Sequence, residues 1–314
     1  MQETRRAILD ALDSGAVGGP DLAERLGCSR TAIWKHVETL RNAGFEIEST
    51  DDGYVLRSLP EFGGPAVEYG LDAPYEVEYH ESIPSTNARA RDRARAGDRD
   101  VVVLADEQTG GRGRLDRAWT SPSGGIWCSL LASPEYPPAD APIVTLSAAV
   151  AVVEAVGTVG VQAGIKWPND VLVEVDGEER KLAGILTEMA GEHDQIDWVI
   201  VGIGLNANVD PEMLPEKATS LRALVGDVDR RAVTRSLLDG LHDALDEPET
   251  ALDAWRDHSR TLGRRVRVET SQETIVGTAV DVTFPGTLVI ETENGRRTVT
   301  AGDCEHLRPA SEKA

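Results

Sequence analysis

The sequence predicts an α+β, multidomain chain, and three patterns carry that reading. Helical periodicity followed by an alternating hairpin fills the first 58 residues. Strands and helices intermingle from about Pro74, and short strands separated by turns occupy the C-terminal part. A chain of 314 residues, 40% of them hydrophobic, is long enough for two or three domains with real cores. The expected boundaries are a first domain at 1–58, a linker at 59–73, a central domain at 74–260 and a last domain at 261–310.

In order along the chain, Ala7, Ile8, Ala11 and Leu12 repeat at helical spacing and Gly15 stops the helix. Gly19-Pro20 opens a second helix through Leu26, with proline in the tolerated first turn. Ser29 can cap a third helix that runs to Asn42, with Ile33, Val37 and Leu40 as its inner face and Gly44 as its terminator. Phe45 to Leu56 alternates around Asp51-Asp52-Gly53, a hairpin signal. Together these elements make a winged helix-turn-helix. The outer face of its third helix offers Ser29, Arg30, Thr31, Trp34 and Lys35, residue types suited to phosphates and base edges in a major groove. The segment Ser29–Arg41 is basic, whereas residues 1–60 are acidic in sum, so the electrostatic footprint is weak. DNA binding is the expectation; a winged helix used for protein contacts is the alternative.

Pro60, Gly63-Gly64, Pro65 and Gly70 mark the expected linker. In the central region, Val101–Ala105 reads as a buried strand, and Ala88–Ala96 and Ile143–Val156 as helices. Val171–Val175, Lys181–Ala190 and Ile196–Gly204 read as a meander, joined by turns at Asp176-Gly177 and Glu192-His193-Asp194. Helical patterns return between Arg230 and His258, broken at Pro248. Four short strands are expected at Arg264–Glu269, Thr274–Val282, Thr287–Glu291 and Thr298–Thr300, consistent with a small antiparallel barrel.

Composition excludes some classes. No run of about 18 apolar residues is present, and the N-terminus lacks the apolar core of a signal peptide. Cys28, Cys128 and Cys304 are far apart and lack CxxC spacing, which points to a reducing, cytoplasmic setting without a disulfide framework or zinc site. Acidic residues number 54 against 32 basic ones, giving a net charge of −22, and only five residues are lysine. Such a surface suits concentrated salt, where repulsion is screened within about 3 Å at 1 M. A halophilic source is the expectation and an acidic mesophile the alternative.

Against that acidity stands Gly110-Gly111-Arg112-Gly113-Arg114-Leu115-Asp116-Arg117-Ala118-Trp119. Glycines let the backbone approach a ligand closely, and arginine forks stay charged at any working pH, so the run reads as a cradle for a phosphate-bearing anion. A solvated basic loop is the plain alternative. Four further segments carry chemistry: Ser85-Thr86-Asn87 before a helix, Lys166-Trp167-Pro168-Asn169-Asp170 in a turn, Arg180-Lys181-Leu182-Ala183-Gly184-Ile185-Leu186 along a strand, and Gly202-Ile203-Gly204-Leu205-Asn206 ending another. Singly these are weak: Ser85 reads first as a helix cap, Gly-x-Gly has little specificity, and Lys166 can simply anchor its turn.

Taken together, in this order and spacing, the segments closely resemble the biotin–protein ligases over essentially the whole chain. The winged helix makes the chain similar to the bifunctional subclass, in which the ligase also represses biotin genes. The resemblance implies an N-terminal winged helix-turn-helix, a central class II synthetase-like α/β ligase domain with a mixed sheet, and a C-terminal SH3-like β-barrel. It implies that ATP and biotin, with Mg²⁺, give biotinyl-5′-AMP, and that biotin then passes to a lysine of a biotin carboxyl-carrier protein. It further implies operator DNA as a partner, no membrane, and a homodimer when biotinyl-AMP is bound.

Residue by residue, the resemblance implies catalytic roles for Lys181, Arg114, Arg117 and Asp170. Ser85, Thr86, Asn87, Gln108, Gly111, Arg112, Arg114, Lys181, Gly184 and Gly204 match biotin-binding positions. Arg114, Arg117, Trp119, Lys166, Asn169, Asp170, Lys181 and Asn206 match the ATP and adenylate side, with Asp170 the one candidate ligand for Mg²⁺. Asp210–Leu221 corresponds loosely to an adenine-covering loop. One departure stands out: Asp116 replaces a glycine of the family's loop. Two other functions are weighed: a non-enzymatic biotin-sensing transcription factor and a lipoate–protein ligase. Intact Lys181 and the arginine loop speak against the first. The arginine loop and Lys-Trp-Pro-Asn-Asp speak against the second.

Overall fold

The computed structural model describes residues 1–133, 137–191 and 195–307. The turn expected at Glu192-His193-Asp194 and the last residues of the 261–310 domain lie outside them. The chain divides into two units, Met1–Leu71 and Asp72–Ala314. In the first, α1 (Glu3–Asp13), α2 (Gly19–Arg25) and α3 (Arg30–Asn42) are followed by the antiparallel hairpin β1 (Glu46–Thr50) and β2 (Gly53–Ser58), then α4 (Gly64–Glu68). Ile8, Leu12, Leu22, Ile33, Val37, Leu40 and Phe45, the apolar stripe of each helix and the start of the wing, share one buried cluster. Ser29 Oγ accepts from the Ala32 N–H at 3.1 Å, so α3 starts where its cap allows.

The expected linker differs from what forms. Pro65 lies in the first turn of α4, and Ala66 and Val67 are buried. Arg6 donates to the Glu68 carbonyl at 2.9 Å, and the Met1 amino group meets the Glu68 carboxylate at 2.8 Å. Proline and glycine here mark a helix start rather than a tether, and the stretch folds onto the first unit.

The second unit holds a seven-stranded sheet. Its strands are β3 (Glu76–Ile83), β4 (Val101–Gln108), β5 (Ile126–Ala132), β6 (Gly164–Lys166), β7 (Asp170–Val175), β8 (Glu178–Gly191) and β9 (Ile196–Leu205), in the order β3-β4-β5-β9-β8-β7-β6. Only β3 and β4 pair in parallel, so the sheet is mixed. α5 (Thr86–Arg95) and α6 (Pro142–Gly157) pack on it. α6 is apolar nearly all round because it is sandwiched between the sheet and two later helices. After α7 (Leu221–Val225), those helices are α8 (Arg230–Asp246) and α9 (Pro248–Asp257).

The same unit contains the strand-rich segment drawn above as a separate domain. β10 (Arg265–Glu269), β11 (Thr274–Thr283), β12 (Thr287–Thr292), β13 (Gly295–Val299) and β14 (Asp303–His306) form an antiparallel sheet ordered β13-β12-β11-β10-β14. β14 was not expected, because Asp-Cys-Glu-His holds a single apolar residue and its alternation is too thin to read. Cys304, opposite Val268 and buried, is that residue.

Candidate active site

The strands deliver their motifs to one cavity of about 310 Å³, in the size range of small-molecule sites. Its floor is β5, β8 and β9, and the N-terminus of α5, the arginine loop, the start of β7 and residues 214–218 form walls.

One pole is neutral. Gln108 ends β4, and its Oε1 accepts from the Thr86 N–H at 2.9 Å and contacts Thr86 Oγ1 at 3.0 Å. Gln108 Nε2 donates to Ser121 Oγ at 3.0 Å. Ser85 caps α5 and also lines the cavity, so both readings of it hold together. Thr86 and Asn87 are buried, and each needs the partners it has, since unmet polar groups are costly there. Cys128 lies in the floor; burial pushes its thiol up to about 12, which leaves it an apolar surface and not a nucleophile.

The other pole is cationic. Lys181, half-buried on β8, places Nζ 2.6 Å from Asp170 Oδ1 and 4.8 Å from the centre of the Trp119 ring. Its backbone is pinned to the following loop: Lys181 N–H donates to the Lys217 carbonyl and the Thr219 N–H donates back. Gly184 and Gly204 have a specific purpose. A Cβ on Gly204 would sit 2.6 Å from Trp119 Nε1, and one on Gly184 would sit 3.0 Å from Lys181 Cε. The absent side chains are the space that Trp119 and Lys181 occupy.

The arginine loop is tied down by its own chain. Arg114 donates to Asn169 Oδ1 at 2.9 Å and to the Gly302 carbonyl at 2.8 Å, and Arg117 meets Asp303 at 2.5 Å. Arg112 meets Asp116 at 3.1 Å on an exposed flank. Burial pulls the Arg114 guanidinium down from its ordinary range while Asp303 and Asp170 oppose that, and it stays charged. Leu115 and Asp116 both take positive φ, 56° and 55°. Aspartate is among the few residues that tolerate this region, so Asp116 fits a position whose backbone suits glycine.

Most of the expected positions meet at this cavity: Ser85, Thr86, Asn87, Gln108, Arg112, Arg114, Arg117, Trp119, Asn169, Asp170, Lys181, Gly184, Gly204 and Asn206. Two do not. Gly111 is a pivot beneath the loop, where a Cβ would lie 2.5 Å from the Trp119 carbonyl, and it forms no part of the walls. Lys166 sits on β6, the outermost strand, and its charge bears on Cys304 and His306. Conversely, Asp303 lines the cavity and Gly302 holds Arg114, which the sequence did not suggest. Asn206 is buried, donates to the Thr219 carbonyl at 2.9 Å, and leaves Oδ1 without a protein partner. Among the described residues no three His, Cys, Asp or Glu side chains cluster as a metal site.

Behind Lys166, Thr261 Oγ1 accepts from the Trp167 N–H at 2.9 Å and faces His306 Nε2 at 3.0 Å, while His306 Nδ1 faces Glu179 at 3.0 Å. Burial holds the imidazole below its ordinary value, more than Glu179 raises it. The unfolded chain therefore binds the extra proton first. Stability from neutral His306 is present above about 6.5 and falls as pH drops through that value toward the folded one. Melting temperatures at pH 7.5 and 5.5 are expected to differ less in His306→Gln than in the parent; an equal difference would remove His306 from the acid response.

In the first unit, Arg30, Thr31, Trp34 and Lys35 are all exposed on α3, with Trp34 53% accessible.

Comparison with known proteins agrees with both units. Residues 79–206 match the biotin/lipoate A/B protein ligase family, 261–307 the biotin protein ligase C-terminal domain and 4–55 a helix-turn-helix domain. The bifunctional ligase/repressor BirA of Bacillus subtilis is 36% identical, over 97% of this chain and 99% of that protein. The biotin–[acetyl-CoA-carboxylase] ligase of Mycobacterium tuberculosis is also 36% identical, over 71% of this chain and 86% of its own length. The biotin protein ligase of Aquifex aeolicus, solved with biotin and ATP, superposes with a TM-score of 0.63 at 27% identity, covering 74% of this chain and 99% of that one. No helix of the described residues is long and apolar enough to cross a membrane. The chain belongs to the biotin–protein ligases, in the bifunctional form that carries an N-terminal helix-turn-helix domain.

Proposed function

We propose that the chain joins biotin to ATP in this cavity and passes the acyl group to one lysine of a carboxyl-carrier domain. The observation that carries the reading is the cavity's two poles: a neutral amide and hydroxyl end at Thr86 and Gln108, and a cationic end at Lys181, Arg114 and Arg117. Biotin has the same polarity, a neutral ureido ring at one end and a carboxylate at the other.

In the first step a carboxylate oxygen attacks the α-phosphorus of ATP, and the bond to pyrophosphate breaks. Two anions must approach, so the chain supplies positive charge at the place where it accumulates. Lys181 Nζ, free to leave Asp170 for a stronger anion, faces the carboxylate and the α-phosphate. Arg114 and Arg117 hold the adenylate side, and Trp119 covers the reacting atoms from water. Asn169 orients Arg114, and Asn206 offers its unpaired Oδ1 to the nucleotide. Asp170, one of two carboxylates lining the cavity and the one not paired with Arg117, fits Mg²⁺, which keeps waters and binds through one or two carboxylates plus phosphates. There the ion would neutralise phosphate charge. In the second step the carrier amine attacks the acyl carbon, AMP departs, and the amine loses its proton.

The DNA-binding face is α3, and repression acts through a homodimer formed when the adenylate is loaded. The exposed Arg30, Thr31, Trp34 and Lys35 support the DNA contact. The decisive assay mixes protein, ATP and a carrier domain with biotin or lipoate, and weighs the carrier. One added biotin on one lysine is expected; transfer of lipoate alone would overturn the reading. A gel shift on the promoters of the host's biotin genes that strengthens with biotin plus ATP is expected of the repressor. No shift under any ligand would leave the domain without that role.

A further inference from the structure

Beneath the neutral pole runs a buried chain of polar groups that ends on a carboxylate outside the cavity walls. Glu188 on β8 accepts from Asn87 Nδ2 at 2.8 Å, and Arg91 lies 3.2 Å from its other oxygen. A carboxylate can only accept, so the nitrogen of Asn87 must face it and the Asn87 oxygen must face the other way. That oxygen meets Ser129 Oγ at 2.6 Å, in space left by Gly202, where a Cβ would fall 2.2 Å from Oδ1. Ser129 is fully buried and also lies 2.7 Å from Thr86 Oγ1, which in turn lies 3.0 Å from Gln108 Oε1.

Three short oxygen–oxygen contacts therefore share two hydroxyl hydrogens. With the Asn87 oxygen presented, the single Ser129 hydrogen goes to Asn87 at 2.6 Å rather than to Thr86 at 2.7 Å, while Thr86 Oγ1 donates its own to Gln108 Oε1. Thr86 Oγ1, donating to Gln108 and receiving no hydrogen from Ser129, keeps its lone pairs for a donor in the cavity, which makes the pole an acceptor. If Asn87 were reversed, its nitrogen would donate to Ser129, the Ser129 hydrogen would go to Thr86 Oγ1, and that pole would lose acceptor capacity.

We propose that Glu188 is a positioning residue that sets this hydrogen-bond direction through Asn87 and Ser129, selecting a ligand ring that donates N–H groups. The inference rests on the reading that this pole takes the ureido ring of biotin. Its test is biotin-dependent exchange of labelled pyrophosphate into ATP. Glu188→Gln, which accommodates either orientation of Asn87, is expected to raise KM for biotin about tenfold, the scale of one hydrogen bond lost. It should leave kcat and KM for ATP within twofold and the melting temperature unchanged. Glu188→Asp, still a pure acceptor, should recover part of the loss. An unchanged KM for biotin in Glu188→Gln, or a fall in kcat alone, overturns the role of Glu188 while the proposed function stands. No biotin-dependent exchange in the parent protein overturns both.

Discussion

Lys181→Ala is expected to slow biotin-dependent adenylate formation by roughly 10²–10³-fold, the usual cost of removing one preorganised electrostatic contact to a transition state. Biotin affinity should change by only a few-fold, because the neutral pole at Thr86 and Gln108 is untouched. The size of the effect follows from how firmly the ammonium is held. Backbone hydrogen bonds to residues 217 and 219 fix the strand, Asp170 lies 2.6 Å away, and Trp119 forms the other side. Lys217 is the other lysine among the cavity-lining residues, and it is exposed rather than held against Asp170 and Trp119. Rapid-quench measurement of the adenylation step checks this, and a rate within threefold of the parent would remove Lys181 from its assigned role.

Gly204→Ala is expected to cost about 10²-fold in kcat/KM for biotin while leaving the fold intact. The new methyl would stand 2.6 Å from Trp119 Nε1, so the indole must leave the floor and take the arginine loop with it. Trp119 belongs to a loop, not to the sheet, and displacing it leaves the strands paired. A variant with an unchanged melting temperature and collapsed activity would fit this account. A large drop in melting temperature would instead make Gly204 a packing residue. Either steady-state kinetics with unfolding curves on the same sample separates the two, or biotin binding by calorimetry does.

How much was legible beforehand follows from what each feature depends on. Helices with a full apolar stripe, such as α3, or a largely apolar run, such as α6, and strands with clean alternation were read to within a few residues, since the local pattern decides them. The active-site motifs were legible because each carries residue types with few structural uses, whether in a loop, at the start of a helix or along a strand. The partners of the arginines were not. Arg114 and Gly302 are 188 positions apart, and nothing in Gly302-Asp303 differs from a turn. Asn87 could be placed at the site, but Glu188 could not, because a glutamate in an alternating strand reads as a solvent-facing residue until its hydrogen bond is seen. Lys166 shows the converse error. It adjoins Asn169 and Asp170 in sequence, yet the turn leaves it on the edge strand β6, away from the cavity.

Asp116 also changes meaning once its backbone is known. At φ 55° it adopts the conformation that a glycine would take freely, and its carboxylate answers Arg112 from an exposed position. The loop thus stands partly ordered by its own acids, Asp116 and Asp303, where a ligand's phosphate would otherwise be the first anion it meets.

The central claim is that this one cavity makes a mixed anhydride between a carboxylate and AMP, with Lys181 carrying the developing charge. Mixing the protein with biotin, ATP and Mg²⁺ in the absence of any carrier, quenching in acid and separating the products tests it directly. Biotinyl-5′-AMP should accumulate rapidly to the concentration of the protein in the parent and only slowly in Lys181→Ala. Recovery of unreacted biotin and ATP from the parent, or equal accumulation in both proteins, would contradict the account.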